Sequence, residues 1–317
     1  MNFPVFVLHC DTAFAMLNST YDDACSLKKN ALHIDLERAS SLPGYAQCFA
    51  CFTSDKETLP LSLCPEALFL REMTAIVGGV TRNSGIIKQA FSPEDIEKNL
   101  LAGKMSAILT IEGPAGFGYD PGMLGALYQQ GFRITTLGWN EKNPLTGSHC
   151  TGGGLSPLGV RYIKEAQRLG MLIDVSHISD EAFWDIMNIT NAPVIASHSN
   201  SRSVWNVSRN ITDEMFRAVC ISGGVVGINF YTGFLGEDPD VDTICDHIFH
   251  FLSLDPGGKH IALGGDLDGC DNLPKGIAGI QDYPKIAQRL MDRGLDENTI
   301  YNIFWNNAIG VMKLCYT

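Results

Sequence analysis

Basic residues are scarce in this chain. Lys and Arg total 23 against 35 Asp and Glu, a formal net charge of −12. Nucleic acids and anionic membranes are gripped by basic patches, so this balance argues against both as partners. Charged residues make up only 18% and hydrophobic ones 45%, so 317 residues can bury a sizeable core. MNFPVFVLHC lacks a basic n-region and a small-residue cleavage site, and FWNNAIGVMKLCYT lacks a long apolar tail. No signal peptide, membrane span or lipid-anchor signal is therefore expected, and the expected location is cytoplasmic. Ten cysteines spread over such a chain are expected to be reduced thiols. Cys48 and Cys51 form a C-x-x-C, but no second pair stands at zinc-ribbon spacing. On a strand the two would face opposite sides, as packed thiols do.

Other absences bear on the fold. No low-complexity segment, charge block or Pro/Ser-rich linker divides the sequence, so residues 1–317 are expected to form a single domain. No G-x-G-x-x-G or Walker turn follows an early strand, and the glycines of GGVVGINF precede or sit within one. No G-x-S-x-G elbow is present, which weakens a serine-hydrolase reading. What is present is a recurrence of short apolar, β-rich runs between amphipathic stretches. There are eight: Pro4–Cys10, Tyr45–Phe52, Ser106–Glu112, Phe132–Gly138, Met171–His177, Pro193–His198, Gly223–Phe230 and His260–Asp266. Helix punctuation lies between them, such as Ser156-Pro157 opening a stretch that ends at Gly170, and Ser179 before Asp180 and Glu181. Eight such units predict an α/β fold, a (β/α)8 TIM barrel, with a doubly wound open sheet as the alternative.

The polar residues at the ends of these runs carry the chemistry. The first run ends in His9 and Asp11, the third in Glu112, the fifth in His177, the sixth in His198 and the eighth in Asp266. In a TIM barrel the C-terminal strand ends form one mouth, so residues distant in sequence would converge there. Any one of them alone reads as a hydrogen-bonded or solvated strand end. Three histidines and three carboxylates together do not, because burying them without partners is costly. Two divalent cations would neutralise the carboxylates and use neutral imidazoles as ligands. His33, His149, His247, His250 and His260 fall outside the strand ends and are expected on the surface or in loops. Asp174 lies within a strand and is expected to make a structural hydrogen bond. Asp268, two residues past Asp266, competes with it for the working role, and Asp266 is preferred because it follows the double glycine directly.

The segments LHCDT, LTIEG, LIDVSHISDEAFWDI, PVIASHSNSRSV, SRNITDEM, GVVGINFY and IALGGDLDG run in order from the first residues to about residue 270. In these the chain resembles the membrane (renal) dipeptidase family, peptidase family M19, within the amidohydrolase superfamily of TIM barrels. The resemblance implies a metallo-dipeptidase with two zinc ions per subunit. His9 and Asp11 would bind one, His177 and His198 the other, and Glu112 would bridge them. Asp266 would hold the metal-bridging water and shuttle its proton. Arg209 would hold the C-terminal carboxylate of a dipeptide, with Tyr231 lining the same pocket. Family members often accept a D-residue at that C-terminal position, and a homodimer is implied.

One departure stands out. Animal members place a histidine after the fourth run to contact the substrate, whereas ITTLGWNEKN puts Trp139 there with Asn140 beside it. Trp offers one N–H donor and cannot carry a proton or a charge, which leaves Asn140 as the candidate to polarise the carbonyl. A W-N pair here is common in the bacterial branch. Two rival readings stay open: the same site acting on another amide or a lactone, and a catalytically impaired barrel serving as a binding protein.

Overall fold

The computed structural model describes residues 3–18, 26–55 and 63–315. Among the described residues there are nine parallel strands: β1 Val5–Cys10, β2 Tyr45–Phe52, β3 Ile87–Gln89, β4 Met105–Glu112, β5 Phe132–Thr136, β6 Leu172–Asp174, β7 Val194–Ile195, β8 Val226–Asn229 and β9 Ile261–Leu267. Eight of them pair in the order β7-β6-β5-β4-β2-β1-β9-β8, and β3 pairs with β4 off this path. The ring closes between β7 and β8 through a parallel bridge from Ala196 to Val226, with Gly227 N donating to Ala196 O at 2.8 Å. The fold is the (β/α)8 barrel. All eight apolar runs supply its strands. Strand β3 was not anticipated, since three residues with Lys88 exposed give no apolar run. Strands β6 and β7 are shorter than their runs. The chain leaves the ladder after Asp174 and Ile195, so His177 and His198 stand on the turns beyond.

Alternation divides the core in two. Phe6, Leu8, Cys48, Ile108, Ile134, Leu172, Ile195 and Ala262 form an inner cluster with Trp305 and Met312 from the C-terminal helical segment, at the end of the barrel opposite the mouth. Val5, Val7, Cys51, Leu109, Ile173 and Ile228 pack outward in a second cluster with Ile163, Ile186, Phe216 and Ile248 of the surrounding helices. Cys48 and Cys51 thus fall on opposite faces. The cysteines among the described residues are free thiols, and Cys25 lies outside those residues.

Helix starts follow their capping residues. Ser156, Ser179 and Thr212 each accept the backbone N–H three residues on, from Gly159, Ala182 and Met215. The helix Asp213–Ser222 stops at Gly223, whose φ of 81° needs no side-chain clearance. The C-terminal stretch breaks around Gly294, at φ 92°, into Tyr283–Asp292 and the helical turns from Glu297 onward. Among the described residues no helix is long and apolar enough to cross a membrane.

Candidate metal centre

The six strand-end residues meet at one mouth of the barrel. His9 Nε2 lies 3.3 Å from Asp11 Oδ2, 3.3 Å from Glu112 Oε2 and 3.8 Å from Asp266 Oδ1. On the other side Glu112 Oε1 faces His177 Nε2 at 3.2 Å and His198 Nε2 at 3.7 Å. Glu112 therefore spans the cluster, one oxygen to each half. Among the described residues two overlapping groups have donor atoms within 4.8 Å of one another and could hold a metal ion: His9, Glu112 and His198, and His9, Asp11 and Asp266.

Local backbone geometry aims these side chains. Leu8 packs inward and Val7 outward, so continued alternation would turn His9 toward the helices. Its ring instead stacks on His198 with centroids 3.8 Å apart. The β1–β9 register shifts between His9 and Cys10, leaving Asp266 as the extra residue of β9 with φ 62°. Such a bulge re-aims side chains at a strand end. His177 takes φ 71°. Left-handed conformations are strained for residues with a Cβ, and at these two positions they accompany Asp266 Oδ1 and His177 Nε2 turned into the cluster. Cys10 turns away: its thiol accepts from Thr12 Oγ1 at 3.4 Å and reaches the Cys48 carbonyl at 3.5 Å.

Each of the two later histidines is held by its far nitrogen. His177 Nδ1 donates to Asn140 Oδ1 at 2.9 Å. His198 Nδ1 donates to Ser197 Oγ at 2.7 Å, and that hydroxyl in turn donates a hydrogen bond to Asp174 Oδ2. Asp174 also accepts the backbone N–H groups of Ser176 and Ser197, clamping the turns that carry both histidines. With both Nδ1 atoms donating, both Nε2 atoms present lone pairs, and these face each other at 2.9 Å. Two lone pairs at that separation call for a cation between them. Burial, then His9 and Arg209 for His198 and chiefly Arg209 for His177, holds both imidazoles well below their ordinary pKa. Both shifts favour the neutral form, the form in which an imidazole can bind a metal.

The first half is acidic. Burial and the neighbouring Glu112 push Asp11 up to about 6, and burial with Asp11 and Glu112 pushes Asp266 up to about 7. Burial would lower His9, but Glu112 and Asp11 outweigh it and raise it well above its usual value. Burial would likewise raise Glu112, yet His9, Asp11 and Arg209 hold it below the usual range. Asp11 Oδ1 is buried without a hydrogen-bond partner among the described residues. An orphaned carboxylate oxygen, facing neutral imidazoles and a bridging Glu, fits a divalent-metal donor set.

Above the cluster a cavity of about 430 Å³ is lined by Phe14, Phe52, Trp139, Asn140, Tyr231 and Phe234 together with the acidic residues. Arg209 is not one of the lining residues but is buried beside Phe234, which is. Its Nη1 donates to Ser199 Oγ at 2.7 Å, its Nη2 to His198 O at 2.9 Å, and Phe234 lies 5.5 Å from its Cζ. Among the described residues no carboxylate lies within ion-pair distance of it, although Asp266, Asp174 and Glu112 act on it from further away, and its Nε is buried without a hydrogen-bond partner. Burial lowers its pKa to about 10. Asp268 does not face the cluster with its oxygens: one accepts from Thr12 Oγ1 at 2.6 Å, the other from His33 N at 2.5 Å. Asp266 instead turns Oδ1 toward His9 and receives Asn229 Nδ2 on Oδ2 at 2.8 Å.

Strand-end reasoning missed several residues. His149, expected in a loop, lies half-buried beside the site, donating from Nε2 to Asn140 Oδ1 at 2.9 Å and accepting from Ser208 at 3.0 Å. His247, expected near the surface, is buried in the helix Val241–Leu254 between Ser201 N and Leu235 O. Asp174 makes the structural hydrogen bonds expected of it, yet they reach a cluster histidine. Only the sequence neighbours of the histidines, the serines of VSH and ASH, hinted at this second layer.

Comparison with known proteins adds an independent line. The pattern of the membrane dipeptidase family, peptidase family M19, matches residues 1–316. An uncharacterized dipeptidase of Schizosaccharomyces pombe is 33% identical over 225 residues, covering 69% of this chain and 55% of its own length. An uncharacterized Klebsiella pneumoniae protein encoded 5′ of pqqA is 33% identical over 248 residues, 74% of this chain and 91% of its own. The chain thus spans about half the length of the first relative and nearly all of the second. Among solved structures, a metallopeptidase from Rhodobacter sphaeroides liganded with a phosphinate mimic of the dipeptide L-Ala-D-Ala superposes with a TM-score of 0.88. It is 25% identical, and the match covers 99% of both chains.

Proposed function

Because this chain belongs to the membrane dipeptidase family, peptidase family M19, we propose that it is a dinuclear zinc dipeptidase that cleaves the peptide bond of dipeptides. His9 and Asp11 would hold one ion, His177 and His198 the other, with Glu112 between them. The single observation that carries the exopeptidase reading is Arg209: a buried guanidinium with no direct ion pair among the described residues and an unpartnered Nε. Buried charges are paired in stable proteins, so this one awaits an anion. The terminal carboxylate of a short peptide supplies it in the bidentate geometry Arg prefers.

Two zinc ions, when bound, would polarise the scissile carbonyl and acidify the attacking water. The chain's own residues do the rest. Arg209 anchors the carboxylate, and Tyr231 and Phe234 wall that end of the cavity. Asp266 takes the water's proton on the oxygen facing His9 while Asn229 steadies the other oxygen, then returns the proton to the leaving amine. Asn140 holds His177 in the ligating tautomer, and Ser197 does the same for His198. The Rhodobacter structure's L-Ala-D-Ala mimic supports a D-residue at the C-terminal position as one accepted configuration.

The test is turnover of a dipeptide panel with and without chelator, run beside the same dipeptides amidated at the C-terminus. Metal-dependent cleavage is expected, with kcat/KM for the amides lower by about 10- to 100-fold, the loss of a charged hydrogen-bond pair. No chelator-sensitive cleavage of any dipeptide would overturn the proposal. Equal cleavage of the amides would overturn the role of Arg209.

A further inference from the structure

The two walls of the cavity differ in position and chemistry. Around the barrel the strands run β1, β2, β4, β5, β6, β7, β8, β9. Arg209 lies between β7 and β8, and Tyr231 and Phe234 follow β8. The arc directly across the mouth lies between β2 and β4. There Phe14, from the helix after β1, packs edge-on against Phe52 at the end of β2, centroids 5.3 Å apart. Phe52 in turn meets Trp139, beyond β5, edge-to-face at 5.1 Å, and Trp139 reaches His177 at 6.2 Å. All three line the cavity. Among the described lining residues there is no aliphatic, Lys or Arg side chain, and the remaining polar wall is chiefly acidic.

A dipeptide anchored by its carboxylate at Arg209, with its scissile carbonyl over the cluster, must direct its N-terminal residue across the mouth toward this aromatic arc. We infer that the enzyme selects dipeptides whose N-terminal residue carries a large apolar side chain, seated against Phe14, Phe52 and Trp139, an inference that rests on the dipeptidase reading. Contiguous aromatic rings gain from covering an apolar group and from stacking on an aromatic one. An acidic side chain at the same place meets the rim residue Asp271, with no Lys or Arg lining the cavity to receive it. The position occupied by Trp139 becomes a specificity surface on this account. Phe52 is buried, whereas Phe14 and Trp139 are half-buried; Phe14 is the handle on this surface because, unlike Trp139, it has no ring contact with His177.

The experiment measures kcat/KM for X-Ala dipeptides with X as Phe, Leu, Gly, Lys and Glu, on the metal-loaded enzyme. Phe and Leu are expected to exceed Gly by about 10- to 100-fold, with Glu below Gly. Phe14→Ala should collapse the Phe-to-Gly ratio and Phe14→Leu should keep most of it, with thermal melts confirming the fold of both. If Phe14→Ala does not fold, the X series in the unaltered enzyme decides. A flat series, a series led by Lys or Glu, or an unchanged ratio in folded Phe14→Ala overturns the inference while leaving the dipeptidase reading intact. No turnover of any dipeptide overturns both.

Discussion

The two halves of the cluster solve the same problem with different chemistry. The half built on β1 and β9 is crowded with carboxylates: His9 faces Asp11, Glu112 and Asp266 within 3.8 Å. The half built beyond β6 and β7 has two neutral imidazoles held from behind by an amide and a hydroxyl. In the first half negative charge attracts a cation directly, so the ligands are their own electrostatic support. In the second, attraction comes from lone pairs, and correct tautomers have to be imposed by neighbours. Loss of a ligand should therefore dominate in the first half, and loss of a supporting residue should be felt in the second.

Removing the residue shared by both halves should have the largest effect. Glu112→Ala should abolish turnover and lower the metal content of both positions, read by metal analysis after dialysis. Full retention of two ions would separate Glu112 from the bridging role. Next come Asn140→Ala and Ser197→Ala. Each should weaken one ion by about 10- to 100-fold in chelator competition while the ion at His9 and Asp11 stays bound. Equal weakening of both ions would erase the contrast between the halves. Cys10→Ser should be close to silent in the same assay, because that thiol faces away from the cluster.

The smallest effect concerns a further carboxyl on the acidic side. Glu72, in the helix Pro65–Arg82, is buried and has no ion pair or side-chain hydrogen bond among the described residues, only the backbone of Phe52 nearby. Burial, then the nearby Asp11, raises its pKa well above the ordinary value. A carboxyl raised on folding stabilises fully below its unfolded pKa, and that stability drains away as pH rises toward the folded value. Glu72→Gln removes this dependence. Its melting temperature should match or exceed that of the unaltered protein, by a margin that widens from pH 5 to pH 8. A margin that shrinks over that range would assign Glu72 a buried cationic partner.

The same contrast governs how much could be read from the sequence. Strand-terminal histidines and carboxylates were legible because each ends an apolar run, and the barrel brings such ends together by topology alone. Asp266 and Asp268 could not be separated that way. Their difference comes from a bulge and from Thr12 and His33, which occupy Asp268 across more than 200 residues of sequence. Nor does strand alternation predict His9, whose ring turns inward against the pattern set by Val5 and Val7. The support of the second half was the least legible part. Asn140, His149 and Ser197 lie in turns and loops, where no periodicity marks a side chain's direction, and the aromatic arc mixes a helix, a strand end and a loop.

The central claim is that one carboxylate-rich and one imidazole-rich half together hold two metal ions. An anomalous-scattering map from crystals grown with zinc tests it most directly. The account predicts two peaks roughly 3.5–4 Å apart, one against His9 and Asp11, the other against His177 and His198, with Glu112 touching both. A single peak, or two peaks that leave the His177–His198 pair unligated, would contradict it.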